Sequence, residues 1–345
     1  MTSSHDAGVV GLDVGGANLK AADGCGWAHA EPFPLWREPN RLGDALLRIV
    51  RLRPASRVAV TMTGEIADCF PDRAAGVSHI VRSVLEATAR AGGGAETLVY
   101  LVGGRFVTPA EAIARPLDAA ASNWHAVARL AAGATRSARA FLVDVGSTTT
   151  DIVPLLRGRP MPLAHDDAGR MAAGELVYTG LERTPVPAIV RSLPHRAVRR
   201  PVAAERFADS RDAWLLLGGC SEEPTVRDTA DGGPSTREAA RVRLARTLLV
   251  EPSEFTAADA HAAAAAVAAN QARRVARGLL AVARGCGWLP DSVVLSGHGT
   301  PLAELALERV GWPVERVSLS QLLGPDVARV APAHAVAALA RGDLA

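Results

Sequence analysis

Two short stretches of the chain carry the residue types that handle phosphate. Gly11-Leu12-Asp13-Val14-Gly15-Gly16-Ala17-Asn18-Leu19-Lys20 and Val143-Asp144-Val145-Gly146-Ser147-Thr148-Thr149-Thr150-Asp151 share one order: an apolar segment, Asp, glycine, small amide or hydroxyl residues, then a second apolar segment. The pattern reads as strand, tight turn, strand. Glycine in such a turn permits positive φ and leaves backbone N–H groups unshielded, so an anionic oxygen can come close, while Ser and Thr add hydroxyl donors. An Asp at the end of a buried strand is costly to desolvate unless it is paired or serves a metal, and a hydrated Mg²⁺ beside phosphates is a natural partner. Two such loops could grip one phosphate chain from both sides. A pair of ordinary β-hairpins would look similar, but the recurrence with hydroxyls and a second Asp favours phosphate.

Other segments offer polar side chains with two readings each. Lys20 is either an added point charge or a solvated strand residue. Thr61-Met62-Thr63-Gly64-Glu65 reads as a strand-terminal turn with a helix N-cap or as a carboxylate entering a cleft. Asn123 and Trp124 are packed helix residues or a clamp for a planar ring. His298, between Gly297 and Gly299, sits where a side chain can project, although isolated histidines are often incidental. Gly174 to Gly180 contains Tyr178, and Asp228 to Pro234 reads by composition as a solvated loop.

The elements that must position these residues follow from periodicity. A β-meander opens the chain at Val9 to Asp13, Asn18 to Asp23 and, more weakly, Trp27 to Trp36. The amphipathic spacing of Leu42 to Arg53 predicts a helix and Arg57 to Met62 a buried strand, giving the order β-β-β-α-β. A helix is expected over Ile80 to Ala91, a strand over Thr97 to Val102, and helices over Pro109 to Arg115 and Ala119 to Ala132. The plan then repeats with Ala140 to Asp144, Asp151 to Leu156 and Arg159 to Pro162, the last two joined by an Arg157-Gly158 hairpin turn. A polar loop follows at His165 to Arg170, a helix at Ala208 to Leu217, and a surface loop at Glu222 to Pro234. Ala257 to Ala283 predicts one or two long helices. Ser292 to Leu295 is a strand running into Ser296-Gly297-His298-Gly299-Thr300. Helix Leu302 to Val310, strand Val314 to Val317 and helix Ala333 to Ala340 complete the chain.

Composition narrows the classes. With 345 residues, 48% of them hydrophobic, the chain is long enough for two domain cores, expected as an N-terminal lobe at 1–135 and a C-terminal lobe at 136–345 with a cleft between them. The last helix is free to pack back on the N-terminal lobe. The 38 basic and 36 acidic residues give a formal +2 with dispersed Arg, which argues against nucleic acid as a partner. No apolar run approaches the ~20 residues of a membrane span, and polar Met1 to Ala7 lacks a signal-peptide core, so a cytoplasmic location is expected. Cys25, Cys69, Cys220 and Cys286 lie too far apart for a zinc knuckle or a disulfide framework and are expected to be reduced, several of them buried. A homodimer stays open.

Two meander-plus-Asp-Gly loops and a late strand-to-glycine turn together resemble the actin-like ATPase superfamily, with its two-lobed ribonuclease H-like α/β fold, duplicated β-β-β-α-β units and central cleft. In that superfamily the loops corresponding to Asp13–Lys20 and Asp144–Asp151 flank the phosphates, and the turn at Ser296 to Pro301 backs the nucleoside. Within it, DVGSTTTD is similar to the hydantoinase A and oxoprolinase branch, whose loop typically reads D-x-G-G-T-x-x-D. The set GLDVGGANLKAA, FPLW, TMTGE, Ser122-Asn123-Trp124, DVGSTTTDI, GELVYTG and DTADGGP resembles, more narrowly, the hydantoinase-type proteins of tetrahydromethanopterin-linked one-carbon metabolism. Archaeal members of that group carry out a methanofuran synthase step, and a bacterial counterpart would make methylofuran. The reaction joins an (aminomethyl)furanmethyl diphosphate to γ-glutamyltyramine, forming an aryl ether and releasing diphosphate.

The resemblance implies roles for individual residues. Gly15, Gly16, Asn18, Lys20, Gly146, Ser147, Thr148, Thr149, Gly297 and Gly299 would bind diphosphate, and Asp13 and Asp144 would hold Mg²⁺. Asp13, Asp144, Asp151 and Glu65 form the expected catalytic set, with Asn123, Trp124 and His298 against substrate. A furanmethyl diphosphate ionises readily, so the enzyme must chiefly neutralise the leaving group and exclude water. The phenol, with an unperturbed pKa of about 10, needs a base, for which Glu65, Asp151, Asp167 and His298 are the candidates. Two other classes compete: an ATP-dependent kinase or hydantoinase/oxoprolinase-like hydrolase, and a noncatalytic regulator. The late turn lacks the Gly-Gly pair usual behind adenosine, which weighs against ATP, and the three aspartates weigh against the regulator.

Overall fold

The computed structural model describes residues 8–344. The polar Met1–Ala7 stretch lies outside them. The chain divides into two units, the first formed by Met1–Ala138, Leu155–Met161 and Val317–Ala345, the second by Arg139–Pro154 and Pro162–Arg316. Neither is contiguous, because a β-hairpin tip and the last helices cluster with the first unit.

The first unit opens with the meander β1 (Val9–Val14), β2 (Asn18–Ala22) and β3 (Ala28–Pro32), followed by α1 (Leu42–Leu52) and β4 (Arg57–Met62). It continues with α2 (Arg73–Ala91), β5 (Glu96–Tyr100), β6 (Phe106–Val107), α3 (Pro109–Ala114), α4 (Pro116–Ala119) and α5 (Asn123–Gly133). Its sheet runs β3-β2-β1-β4-β5-β6, with β1 parallel to β4 and antiparallel to β2. Every residue of β1 is buried, as a strand covered on both faces requires. Leu42, Leu46, Ile49 and Val50 of α1 and Val77, Ile80, Val81 and Val84 of α2 join Val10, Leu12, Val58 and Val60 in one core.

Two helix starts differ from the periodicity reading. α2 begins seven residues before Ile80, because Asp72 caps it by accepting from the Ala75 amide at 2.8 Å. The helix expected from Ala119 splits, because Ala121 takes φ of 48° and restarts the chain at Asn123.

The second unit repeats the plan with β7 (Arg139–Val145), β8 (Thr150–Leu156) and β9 (Arg159–Pro160). Arg157 and Gly158 both have positive φ, at 50° and 77°, as a two-residue hairpin turn demands. Then come α6 (Asp167–Ala173), β10 (Leu176–Val177), α7 (Val186–Ile189), β11 (Ser192–His195), β12 (Val198–Pro201), α8 (Ser210–Leu216), α9 (Arg237–Thr247) and α10 (Ala257–Cys286). β13 (Ser292–Ser296), α11 (Thr300–Val310) and β14 (Glu315–Ser318) close it. The sheet runs β10-β8-β7-β13-β14, with β9 also on β8 and β7 parallel to β13. In each unit the strands of the repeat therefore lie in the order third, second, first, fourth, fifth. This is the duplicated ribonuclease H-like α/β arrangement that the loops implied.

The 30-residue α10 is one helix, begun by a Thr256–Asp259 capping box and ended by Gly287 in the left-handed conformation. His165 to Arg170 is not a loop throughout: Asp166 accepts from the Gly169 amide at 2.9 Å and starts α6. α9 escaped the period because a buried Arg243 stands where an apolar residue would be expected. Its guanidinium lies 2.7 Å from Asp212 Oδ1 and 3.1 Å from Asp231 Oδ1. Satisfied on both sides, a buried charge of this kind is tolerated, but removing one partner strands the other.

α12 (Leu319–Leu323), α13 (Pro325–Arg329) and α14 (Ala331–Arg341) return to the first unit, where α14 packs on β1 through its small residues. All four cysteines are unpaired. Cys25 is exposed and the other three are half-buried, so none is a fully buried core residue. Among the described residues, no helix is long and apolar enough to cross a membrane.

Candidate functional site: the two Asp-Gly loops

Both loops close in the same way. In the first, the Gly15 amide donates to the Asn18 carbonyl at 3.0 Å; in the second, the Gly146 amide donates to the Thr149 carbonyl at 3.0 Å. Behind each loop a separate segment takes up the carbonyl oxygens. Leu35 N–H bonds to Gly16 O at 3.0 Å and Phe33 N–H to Ala17 O at 2.9 Å, which gives the FPLW motif its task. In the second unit Leu181 N–H bonds to Gly146 O at 3.0 Å, and the amides of Glu182 and Arg183 both reach Ser147 O, at 3.0 and 2.9 Å. The run after GELVYTG does for loop two what FPLW does for loop one.

This backing orients the amides. A trans peptide sets C=O and N–H on opposite sides, so a carbonyl drawn backwards turns the next residue's N–H forwards. Ala17 and Asn18 in loop one, and Ser147 and Thr148 in loop two, thus present amides away from the backing segment. Successive forward amides make an anion-binding concavity. The glycines contribute by being bare, not by positive φ, which none of Gly15, Gly16 and Gly146 adopts. A Cβ on Gly16 would meet nothing within 4 Å, and one on Gly146 only Thr149 O at 3.7 Å.

Gly16→Ala is accordingly expected to leave thermal unfolding within about 0.5 kcal/mol of the parent. It should weaken inorganic diphosphate by about tenfold, the value of one hydrogen bond to a charged oxygen lost to crowding. Calorimetric titration with diphosphate checks this; equal affinity would show that Gly16 is not approached.

Asp13 is 3% exposed and sits directly across the β1–β2 ladder from Lys20. Lys20 Nζ donates to Oδ2 at 3.3 Å, while Oδ1 is buried without a hydrogen-bond partner among the described residues. Burial pushes the Asp13 carboxyl above the ordinary range and Lys20 draws it partly back. An orphaned, buried carboxylate oxygen at the start of such a loop suits a cation. Among the described residues no three His, Cys, Asp or Glu side chains are gathered to hold a metal, so such a cation would draw its other ligands from water and phosphate, which Mg²⁺ prefers.

Thr63 N–H donates to Val14 O at 3.0 Å, and a Cβ on Gly64 would lie 3.1 Å from Val14 O. The TMTGE turn is therefore seated on loop one. Glu65 in this turn is 1% exposed, and its backbone packs against Gly76 of α2. Thr61 Oγ1 and Ser122 Oγ pair at 2.8 Å below it. Asn123 Oδ1 accepts from the Trp124 amide at 2.8 Å, and the Trp124 indole is 2% exposed, edge-on to His125. The structure places Trp124 in the packing of α5.

In the second unit, Asp144 pairs in register with Ser296, and the late turn folds directly onto loop two. Gly299 N–H bonds to Val145 O at 3.0 Å. Gly297 has φ of 78°, and a Cβ there would lie 2.2 Å from Val145 O and 2.7 Å from Asp144 Oδ1. The turn thus brings Gly297 and Gly299, on either side of His298, against Asp144 and Val145. Asp151 does not stand open: its Oδ1 is 2.9 Å from Arg170 Nη2, whose side chain is 1% exposed. Burial holds the Asp151 carboxyl above its usual range, and Arg170 draws it only partly back. Ser147, Thr148 and Thr149 are half-buried.

Residues that the sequence reading passed over complete this side. Glu182 lies 3.4 Å from His298 Nε2, and Arg211 lies 3.5 Å from Glu182 and 3.1 Å from Glu223. Arg183 pairs with Asp228 of the DTADGGP loop at 2.5 Å, and Asp231 of the same loop pairs with Arg243 and Arg246. That surface loop is therefore pinned by charge. Gln271 Nε2 donates to Thr179 Oγ1 at 2.9 Å and to Gly180 O at 2.7 Å, supporting the segment that runs into the backing of loop two. The available signal was the nearness in sequence of Glu182 and Arg183 to GELVYTG.

The family model described as hydantoinase/oxoprolinase matches residues 57–338. The chain is 31% identical over 340 residues to the "(4-{4-[2-(gamma-L-glutamylamino)ethyl]phenoxymethyl}furan-2-yl)methanamine synthase" of Methanocaldococcus jannaschii, covering 97% of this chain and 98% of that one. It is 26% identical over 205 residues to the synthase of the same name from Methanococcus vannielii, covering 59% and 91%. Among solved structures, nucleotide-free acetone carboxylase superposes with a TM-score of 0.55 at 10% identity, over 96% of this chain and 70% of that one.

Proposed function

The chain belongs to the hydantoinase/oxoprolinase family, and from that premise we propose that it is a cytoplasmic transferase of methanofuran-type cofactor biosynthesis, joining an (aminomethyl)furanmethyl diphosphate to γ-glutamyltyramine. The observation that carries this reading is the similarity along nearly the whole chain to the archaeal synthase. The name of that enzyme describes a phenoxymethyl-furan, an ether between a phenol oxygen and a furan methylene.

The reaction breaks the bond between the methylene carbon and the diphosphate oxygen, the electron pair leaving with diphosphate. The ring oxygen stabilises the cation so formed, and the phenol oxygen closes on the methylene carbon. What the protein must supply is a set of donors to the departing charge in a site that excludes water. The forward amides of Ala17, Asn18, Ser147 and Thr148, the hydroxyls of Ser147 and Thr148, and the Lys20 ammonium are suited to that task. Their hydrogen bonds strengthen as charge accumulates on the leaving group. Mg²⁺ held by Asp13 or by Asp144, directly or through water, would supply the positive charge that neutralises diphosphate.

The test is to incubate the purified protein with the furan diphosphate, γ-glutamyltyramine and Mg²⁺ and to follow products by mass spectrometry. Coupled ether with one diphosphate per ether is expected. Intact substrates and no ether would contradict the reading.

A further inference from the structure

Four carboxylate or imidazole groups were open as the base for the phenol, and their surroundings now differ. Asp151 is committed to the buried Arg170, and Glu65 is 1% exposed. Asp167 lies half-buried in the first turn of α6, beside Asp151 in charge. His298 is 42% exposed on the side chain, its Nε2 at 3.4 Å from Glu182 Oε1.

The two residues are fixed to loop two from different directions. The Glu182 amide bonds to Ser147 O and the Gly299 amide to Val145 O, both at 3.0 Å. Neither glycine beside His298 has room for a side chain, since a Cβ would lie 2.2 Å from Val145 O at Gly297 and 2.2 Å from Val145 Cγ1 at Gly299. Of Gly297, His298 and Gly299, only His298 can therefore carry a side chain out of the turn. Burial acts to raise the Glu182 carboxyl, but the hydrogen bond and charge of His298, with Arg211 and Arg183, outweigh it and hold the acid below its usual range. Cys220 and Glu223 also stand near Arg211, and Asp144 Oδ1 near Gly297. With Glu182 Oε1 at 3.4 Å from Nε2, the carboxylate orients the ring so that Nε2–H faces the acid, and once Nδ1 is without its proton its lone pair is the acceptor.

We propose that His298 is the catalytic base for the phenol and Glu182 its positioning residue, an assignment that rests on the transferase reading above. The phenol proton passes to Nδ1 as the phenol oxygen bonds to the methylene carbon and the diphosphate oxygen takes the electron pair of the breaking bond. The imidazolium then loses its proton to solvent, and Glu182 fixes the ring orientation throughout, the role a carboxylate plays behind a histidine in acyl-transfer triads.

The experiment counts ether and diphosphate in the same reactions for wild type, His298→Asn, His298→Ala and Glu182→Gln, with thermal unfolding as the control for folding. His298→Asn should lower ether formation about 10²–10³-fold. Diphosphate release should persist as the furan cation is captured by water, and imidazole should restore coupling to His298→Ala. Glu182→Gln should lower kcat about 10–100-fold with little change in the KM for γ-glutamyltyramine. Folded variants that couple at the wild-type rate, or a His298→Ala enzyme that imidazole does not revive, overturn the dyad while wild-type turnover leaves the transferase reading standing. Wild-type enzyme that forms no ether overturns both.

Discussion

Asp13→Asn is expected to lower ether formation about 10²–10³-fold, the scale at which one preorganised charge counts in a transition state, while the protein stays folded. The expectation comes from the two oxygens of this carboxylate. Oδ2 is answered by Lys20 at 3.3 Å, but Oδ1 is buried with no hydrogen-bond partner among the described residues. For folding alone that is a poor arrangement, because burial disfavours the charged form. Asn keeps the size and removes the charge, and Lys20, still 29% exposed, can turn to water. Relief of the buried charge and loss of the Lys20 ion pair oppose each other, so the melting temperature should move by no more than the equivalent of about 1 kcal/mol. The half-saturating Mg²⁺ concentration should rise in the variant. A fall in stability with activity retained would make Asp13 a structural residue and remove it from the site.

Gly297→Ala is expected to unfold the second unit's turn and abolish activity together. A Cβ at Gly297 enters a left-handed conformation and meets backbone and carboxylate oxygens of loop two at 2.2 and 2.7 Å. The conformational penalty is about 1 kcal/mol and overpacking adds about 1–3. The Val145 carbonyl is backbone and cannot swing aside, and the Asp144 carboxylate can do so only by leaving its place at the end of β7. At about 2–4 °C per kcal/mol for a unit of this size, the melting temperature should drop by roughly 4–16 °C. Differential scanning calorimetry reads this directly. An unchanged melting temperature would mean that the late turn does not pack on Val145 and Asp144, and the placement of His298 would fall with it.

Much of this was legible because it rests on local chemistry. The strands at Val9–Val14 and Arg139–Val145, the hairpin at Arg157-Gly158 and the twin Asp-Gly turns all follow from apolar runs and turn residues within a few positions of each other. α9 was hidden because Arg243 occupies its inner face, and only the distant Asp212 and Asp231 make a buried guanidinium acceptable there. α6 was hidden by its acidic cap. At the site, the types of Asp13, Gly16 and His298 drew attention in the sequence, but their partners did not. Glu182 is more than a hundred residues from His298, and the FPLW and Thr179–Arg183 segments act through backbone amides, which any side chain can carry. Of the two roles expected of the loop glycines, Gly15, Gly16 and Gly146 do not adopt positive φ, and the bare backbone is what remains.

The measurement that bears most directly on the central claim follows the phenol oxygen. γ-Glutamyltyramine labelled with ¹⁸O at the phenol is turned over with unlabelled furan diphosphate, and the ether and the released phosphorus species are weighed by mass spectrometry. Attack of the phenol on the methylene carbon predicts that all of the label stays in the ether and none enters diphosphate. Label appearing in phosphate or diphosphate, or coupling that proceeds only when ATP is added, would mean that the loops activate an oxygen by phosphoryl transfer and would contradict the account.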